Sequence, residues 1–147
     1  MILRRAALSD ADVIAAVDAA SCEHPWSEAS YRADLERPLS YYWLLEADHQ
    51  PSCVGFIGVH LLGDSDDAEV LNLVVVPEQR RKGYARRLLT VAIETVREAG
   101  VAKLFLEVAA HNVAARALYK ALGFVEYGIR PRYYGNDDAR LLVLVFD

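Results

Sequence analysis

The stretch Leu71–Leu89, LNLVVVPEQRRKGYARRLL, decides the fold. Its first part is rich in leucine and valine, and Pro77, which cannot donate to a strand ladder, ends that run. After a basic loop that contains Gly83, apolar residues recur at helical spacing as far as Val96, and Gly100 marks the end of the pattern. The stretch therefore predicts a strand, a loop with glycine and a long amphipathic helix.

The loop and the first turn of that helix are strongly basic, with cations at Arg80, Arg81, Lys82, Arg86 and Arg87. Because a helix N-terminus already carries partial positive charge, each cation there is unfavourable by roughly 0.3–1 kcal/mol. Unbonded helix amides, a glycine without Cβ and arginine guanidinium groups together suit a phosphate-bearing anion, which would offset that cost. The alternative is a solvated, charged loop. The sequence has neither a P-loop pattern nor a Rossmann glycine pattern after a strand.

The rest of the sequence places strands and helices around this unit in the order β-α-α-β-β-β-α-β-α-β-β. The central β-α-β segment implies a parallel pair of strands with a right-handed crossover. The runs of consecutive strands imply antiparallel neighbours, so the predicted sheet is mixed.

Helix starts and turns carry local signals. Ser9 is expected to begin the first helix through a capping box with Asp12. Ser27 and Asn112 are the expected N-caps of the second and last helices. The polar and aromatic segment 130–138, RPRYYGNDD, predicts a loop between the last two strands.

The segment 71–89 resembles the acetyl-CoA motif of the GNAT N-acetyltransferases, Q/R-x-x-G-x-G/A, which Arg80, Gly83 and Ala85 fill. The segment 112–124, NVAARALYKALGF, is similar to that family's N-x-x-A-x-x-x-Y-x-x-x-G-F block. The resemblance implies the GNAT fold, an α/β (α+β) architecture, as a single domain over residues 1–147. It has a mixed, roughly seven-stranded sheet with flanking helices, splayed at the central parallel strands.

The resemblance also implies acetyl-CoA as the cosubstrate, with no metal. Its pantetheine arm would lie in the splay against strand backbone, and its pyrophosphate would take amides and side chains of the basic loop. The cofactor-binding residues so implied are Leu73, Val74, Val75, Arg81, Lys82, Gly83, Tyr84, Ala85, Arg86 and Asn112.

Acetyl transfer from a thioester to an amine needs a neutral amine, a donor for the oxyanion and a proton for the leaving thiolate. An N-terminal α-amine has an ordinary pKa of about 7.7–8.0, so it is mostly protonated at neutral pH. A carboxylate suits removal of that proton, directly or through water, and a phenol suits protonation of the thiolate.

Glu107 is the candidate base. Alternation along KLFLEV, residues 103–108, puts its leucines and valine on one face and Glu107 on the other, at the carboxyl end of an inner strand. Ligands usually enter open α/β sheets at such ends. The alternative is a glutamate in a salt bridge or in solvent.

Tyr119 is the candidate acid. It follows Asn112 by two helical turns, on the same face of the helix. Leu118 and Leu122 share the neighbouring apolar face, so we expect Tyr119 at its margin. The alternative is a half-buried core tyrosine.

Three further segments, 24–31 (HPWSEASY), 106–124 and 130–144, resemble the RimI-type ribosomal-protein alanine N-acetyltransferases. That resemblance implies Glu107 as proton acceptor and Tyr119 as proton donor, and the N-terminal peptide of a small-subunit ribosomal protein as the substrate. The residues implied to shape the peptide site are His24, Pro25, Trp26, Ser27, Arg132, Tyr133 and Tyr134.

Composition limits the other classes of function. A net charge of −5 argues against direct nucleic-acid binding, and four histidines without ligand spacing argue against a metal site. The sequence has two cysteines without C-x-x-C spacing, no long apolar run and no secretory leader, which favours a cytoplasmic protein without membrane segments. We expect a monomer or weak homodimer. The remaining alternatives are a transferase for small amines or several protein N-termini, and a non-catalytic acyl-CoA-binding module.

Overall fold

The computed structural model describes residues 1–48, 53–63, 66–135 and 137–146. This part of the chain forms seven strands, four α-helices and two short 3-10 turns, in the predicted order. The strands are β1 Ile2–Arg5, β2 Ser40–Glu46, β3 Cys53–Leu61, β4 Asp67–Val75, β5 Lys103–Ala109, β6 Val125–Tyr134 and β7 Asp137–Val145. The helices are α1 Ala11–Ser21, α2 Glu28–Leu35, α3 Tyr84–Glu98 and α4 Val113–Ala121, and the 3-10 turns are Leu8–Asp10 and Pro77–Gln79.

The strands form one sheet in the order β1-β2-β3-β4-β5-β7-β6. Every neighbouring pair is antiparallel except β4 and β5, which are parallel. Their pairing covers only three residue pairs, from Asp67 with Lys103 to Glu69 with Phe105. Both strands continue past that point without pairing to each other, so the sheet opens there. The mixed, splayed sheet predicted from the sequence is confirmed.

Two hydrophobic cores lie on opposite faces of the sheet, as alternation along β2 shows. Trp43 and Leu45 belong to the core under α3, whereas Tyr42 and Leu44 belong to the core that includes α1 and α2. Helix α3 buries five residues on the predicted face, namely Leu88, Leu89, Ala92, Ile93 and Val96. Each of its buried leucine or isoleucine side chains contributes about 1.5–3 kcal/mol relative to exposure. This packing fixes the helix directly beside the open part of the sheet.

The N-caps were predicted with mixed success. The caps Ser27 and Asn112 are confirmed, since their side chains accept hydrogen bonds from the amides of residues 30 and 115 at 3.1 and 3.2 Å. The capping box at Ser9 is wrong, because α1 begins two residues later, after a 3-10 turn. There the carboxylate of Asp10 accepts the Ala7 amide at 2.7 Å and pairs with Arg4 at 2.8 Å.

The predicted loop 130–138 is also wrong. Strand β6 continues through most of it to Tyr134, and β7 begins at Asp137. The register between the two strands shifts between Arg130 and Tyr134, and Arg132 has a φ of 53°. The Arg132 amide donates to Asp138 Oδ1 at 2.8 Å, so a side chain serves the backbone where the ladder is interrupted. An edge strand tolerates such an interruption, and also Pro131.

Within the described ranges, no helix has both the length and the apolar character needed to cross a membrane.

Candidate active site

The backbone of β4 is directed into the opening of the sheet by its register with β3. The Val76 amide donates to the Val54 carbonyl at 2.9 Å, just beyond the paired residues Val75 and Gly55. Because hydrogen-bonding direction alternates along an antiparallel strand, the Val74 backbone points to β3 and those of Leu73 and Val75 point away from it. A ligand in the splay would therefore meet the main chain of Leu73 and Val75 before that of Val74.

The basic loop ends in an open, uncapped helix start. Gly83 is the N-cap residue of α3 with a φ of 80°, and no described side chain caps this N-terminus. A Cβ added at Gly83 would meet no described atom within 4 Å. Because the first amides of a helix have no partner inside it, they remain available here. By contrast, the N-termini of α2 and α4 are each capped by a side chain that accepts a hydrogen bond from an amide of the first turn.

The cations of the loop have different environments. Arg80 Nε donates to the Val75 carbonyl at 3.0 Å, so this arginine fastens the loop to β4. Lys82 Nζ donates to the Gln79 side chain at 2.9 Å and is exposed, as are Arg81 and Arg86. The loop therefore presents several exposed positive charges around the open helix start, an arrangement that suits a polyanion.

Tyr84 and Ala85 begin α3 and are half-buried against the core under that helix. Their amides belong to the first turn of α3, which begins at Tyr84. They can therefore offer a ligand main-chain donors more readily than their side chains.

Glu107 lies on β5, two residues beyond the last residue paired with β4. Its predicted face is correct, since Leu106 and Val108 on the other face are buried. Its carboxylate is 30% exposed and pairs with Arg130 of β6, with 3.1 Å between Oε1 and Nη2. The Arg130 guanidinium also lies 4.9 Å from the centroid of the Tyr133 ring. Sequence reasoning did not include Arg130 in the site, because its pairing with Glu107, 23 residues earlier, leaves no local signal in the sequence.

Tyr119 occupies a different position from the one expected. It is the one residue of α4 that is buried, at 8% exposure, rather than a residue at the margin of the apolar face. Its ring meets Phe124 edge to face, with 5.9 Å between centroids. Asn112, two turns earlier, is exposed and caps the helix through the Ala115 amide.

The predicted peptide turn, residues 24–27, joins α1 to α2 and is exposed. His24 and Pro25 lead into Trp26, which is 42% exposed and lies 5.4 Å from the Tyr31 ring. The Trp26 amide donates to Asp18 Oδ2 at 3.0 Å. Ser27 then caps α2, so the turn is fixed where it enters this helix.

The second predicted peptide segment is the hairpin between β6 and β7. Arg132 and Tyr133 are exposed there, whereas the side chain of Tyr134 lies outside the described part of the structure. Asp137, at the start of β7, accepts the His111 amide at 2.9 Å and also pairs with the His111 imidazole. These two interactions lower the pKa of Asp137 below its ordinary value. They tie the hairpin to the turn between β5 and α4, next to Asn112.

The histidines and cysteines are the remaining candidate reactive groups. In the ranges that the structure describes, no group of three or more His, Cys, Asp or Glu residues could hold a metal ion. Burial raises the pKa of Cys53 to about 11, and burial with a hydrogen bond to Asp18 raises the pKa of Cys22 to about 12. Both thiols are therefore protonated at neutral pH and poorly suited to act as nucleophiles.

Comparisons with known proteins connect this geometry to a family. Residues 12–124 match the family model described as the acetyltransferase (GNAT) family. The ribosomal protein bS18-alanine N-acetyltransferase of Escherichia coli strain K12 is 38% identical over 117 residues, which cover 79% of this chain and 75% of that protein. The protein of the same name from Haemophilus ducreyi is 33% identical over 114 residues, covering 78% of this chain and 75% of that protein.

Solved structures share the fold over nearly the whole chain. The crystal structure of the ribosomal-protein-S18-alanine N-acetyltransferase from Escherichia coli has a TM-score of 0.86 at 29% identity, covering 98% of this chain and 92% of that chain. The crystal structure of the NatC complex bound to Gag peptide and CoA has a TM-score of 0.85 and covers 99% of this chain and 98% of that chain, but its 23% identity shows the fold alone. By its sequence and by its splayed sheet, the chain belongs to the GNAT family of acetyltransferases, enzymes that use acetyl-CoA.

Proposed function

We propose that this chain transfers the acetyl group of acetyl-CoA to the N-terminal α-amine of a protein, the N-terminal alanine of the small-subunit ribosomal protein that corresponds to bS18. The observation that carries the proposal is the identity of 38% to a bS18-alanine N-acetyltransferase over 79% of the chain. The two exposed segments predicted to shape a peptide site support it, because one is fixed at Trp26 and Ser27 and the other lies beside Glu107 through Arg130 and Tyr133.

In the proposed reaction, Glu107 accepts a proton from the substrate ammonium, directly or through water. The neutral amine then attacks the thioester carbonyl carbon. One of the two amides that point into the splay, that of Leu73 or Val75, can donate to the oxygen that becomes negative, which leaves the other for the pantetheine arm. As the C–N bond forms, the nitrogen gives up its second proton to water. The C–S bond then breaks, and the Tyr119 hydroxyl gives its proton to the departing thiolate. Solvent then returns a proton to Tyr119 and removes one from Glu107.

Binding of the cosubstrate divides between the two features on either side of Pro77. The strand backbone at Leu73 and Val75 would hold the pantetheine arm, and the open helix start at Gly83 would hold the pyrophosphate, with Arg81, Lys82 and Arg86 supplying positive charge. Asn112 would contact the cosubstrate from the start of α4. The geometry that supports this assignment is the uncapped N-terminus of α3 beside a length of β4 that pairs with β3 but not with β5.

Mass spectrometry of acceptors after incubation with acetyl-CoA tests the proposal. The acceptors are the ribosomal protein, a set of peptides that begin with alanine or another residue, a polyamine and an aminoglycoside. We expect acetylation of the alanine-initiated chains at their α-amine. Acetylation of the small amines alone would refute the proposal, and acetylation of many different N-termini would replace it with a broader protein acetyltransferase.

Variants of the two candidate catalytic residues separate an enzyme from a binding module. Glu107→Gln and Tyr119→Phe preserve side-chain size, and each should lower kcat by about 10²–10⁴-fold, the range of general acid–base catalysis. The KM for acetyl-CoA should stay within about twofold, since neither group is assigned to its binding. Glu126→Gln, which removes a carboxylate paired with Arg140, is the matched control for charge. Tight acetyl-CoA binding without turnover in the unaltered chain would identify a binding module instead.

A further inference from the structure

A buried carboxylate under the predicted peptide turn has no role in the reaction proposed above. Asp18 is 3% exposed and lies in the last turn of α1. Burial disfavours a charged carboxylate, and the negative end of the helix dipole disfavours it further. A well-packed apolar side chain at such a position is often at least as stabilising as a buried charge. Stability alone therefore gives little reason for a carboxylate at this position.

Asp18 lies inside a continuous series of hydrogen bonds. Its Oδ2 accepts the Trp26 amide at 3.0 Å and the Tyr31 hydroxyl at 2.5 Å. Asn72 Nδ2 in turn donates to the Tyr31 hydroxyl oxygen at 2.8 Å. Tyr31 is fully buried, and burial together with Asp18 raises the pKa of its hydroxyl well above the ordinary value, so it remains a donor. Linked donors of this kind polarise and strengthen one another.

The two residues at the ends of this hydrogen-bond series belong to the proposed site. At one end, Trp26 lies in the exposed turn predicted to shape the peptide site. At the other, Asn72 lies on β4 between Leu73, whose backbone points into the splay, and Leu71, the extra residue where the register with β3 shifts. The hydrogen bonds therefore connect the peptide turn to the strand proposed to hold the cosubstrate.

We propose that Asp18 is a positioning residue for the protein substrate: through the Trp26 amide it fixes the turn that receives the peptide, and through Tyr31 and Asn72 it holds that turn in register with β4. This inference rests on the function proposed above. It assigns Asp18 no contact with the reacting atoms. Loss of these hydrogen bonds should therefore weaken peptide binding more than it slows chemistry or weakens acetyl-CoA binding.

The protein contains a second buried tyrosine–aspartate pair, which serves as a matched control. Tyr42 is 1% exposed, and its hydroxyl donates to Asp34, which is 6% exposed and lies on α2. Asp34 also accepts from Ser40 Oγ at 3.2 Å and pairs with His60 at 2.7 Å. Both tyrosines belong to the core that includes α1 and α2, but among the described residues Asp34 bonds to none in the peptide turn. Tyr31→Phe and Tyr42→Phe therefore delete the same group in the same core with different predicted consequences.

Steady-state kinetics of the full chain with an alanine-initiated peptide and acetyl-CoA tests the proposal. Tyr31→Phe should raise the KM for the peptide about five- to tenfold, the equivalent of one typical net hydrogen bond, while kcat and the KM for acetyl-CoA change less than about twofold. Asp18→Asn, which keeps an acceptor for the Trp26 amide, should give a smaller rise in the same constant. Tyr42→Phe should leave the peptide KM within about twofold.

Hydrogen exchange of the Trp26 amide gives a readout that does not need turnover. The amide should be protected in the unaltered chain and in Tyr42→Phe, and should exchange several-fold faster in Tyr31→Phe. An unchanged peptide KM in Tyr31→Phe, an equal rise in both tyrosine variants, or unprotected Trp26 in the unaltered chain would each overturn the positioning role alone. Failure of the unaltered chain to acetylate any peptide would instead overturn the proposed function, and this inference with it.

Discussion

At the scale of single residues, the Glu107–Arg130 pair sets a condition on the proposed reaction. Its side chains are 30% and 51% exposed, and such pairs contribute only about 0–1 kcal/mol, so Arg130 can be displaced from Glu107 at little cost. A substrate ammonium seeks the same carboxylate. Arg130 therefore competes with the substrate, and its stacking on Tyr133 gives it a second place to lie.

Replacement of Arg130 by glutamine should remove this competition. We expect Arg130→Gln to lower the KM for an alanine-initiated peptide by up to about fivefold, since the pair is worth no more than about 1 kcal/mol. Steady-state kinetics measures it. Arg140→Gln is the control, because Arg140 pairs with Glu126 rather than Glu107. A higher peptide KM in Arg130→Gln would show that Arg130 helps to bind the peptide rather than competing with it.

At the scale of elements, α3 has glycine in the left-handed region at both ends. Gly83 precedes the helix with a φ of 80°, and Gly100 follows it with a φ of 86°. In both places an added Cβ would meet no described atom within 4 Å, so strain at the two sites has the same origin and differs only in location. The sequence predicted both ends of this helix, because Gly83 and Gly100 bracket a regular apolar pattern.

Alanine at each glycine separates helix strain from ligand binding. Gly83→Ala and Gly100→Ala should each lower the free energy of unfolding by roughly 1–2 kcal/mol, as expected for a side chain in the left-handed region. Only Gly83→Ala should also weaken acetyl-CoA binding, because it alters the proposed phosphate site. Calorimetric titration and thermal unfolding measure the two effects. Equal losses of binding in both variants would assign the effect to the helix as a whole.

At the scale of the whole molecule, the sequence predicted regular elements better than the interactions between distant residues. The element order, the mixed sheet and the caps at Ser27 and Asn112 follow from local patterns in the chain, whereas the splay was implied by the resemblance to the GNAT family. The run of β6 past Arg130, the pairing of Arg130 with Glu107 and the burial of Asp18 depend on partners far away in sequence. Local signals cannot show such partners, and for that reason the segment 130–138 was predicted as a loop.

The junction of β1 with α1 shows how one such distant interaction should affect stability. The hydrogen bonds from Arg4 hold the pKa of Asp10 below its ordinary value in the folded chain. The unfolded chain therefore binds more protons than the folded chain as the pH falls below about 4, and the stabilisation is present above that range and lost below it. The free energy of unfolding, measured against pH by denaturant titration, should fall more steeply in the unaltered chain than in Asp10→Asn. Parallel curves would contradict this.

The three-residue pairing between β4 and β5 has a consequence for the unliganded protein. Past Glu69, the central strands face each other across a gap without pairing to each other, and apart from the Val75 carbonyl, which accepts from Arg80, this amounts to a sheet edge inside the fold. Edges of this kind attract extended segments of other chains. An occupant that carries its own amides would cover this edge, so a saturating ligand should also protect the protein against self-association.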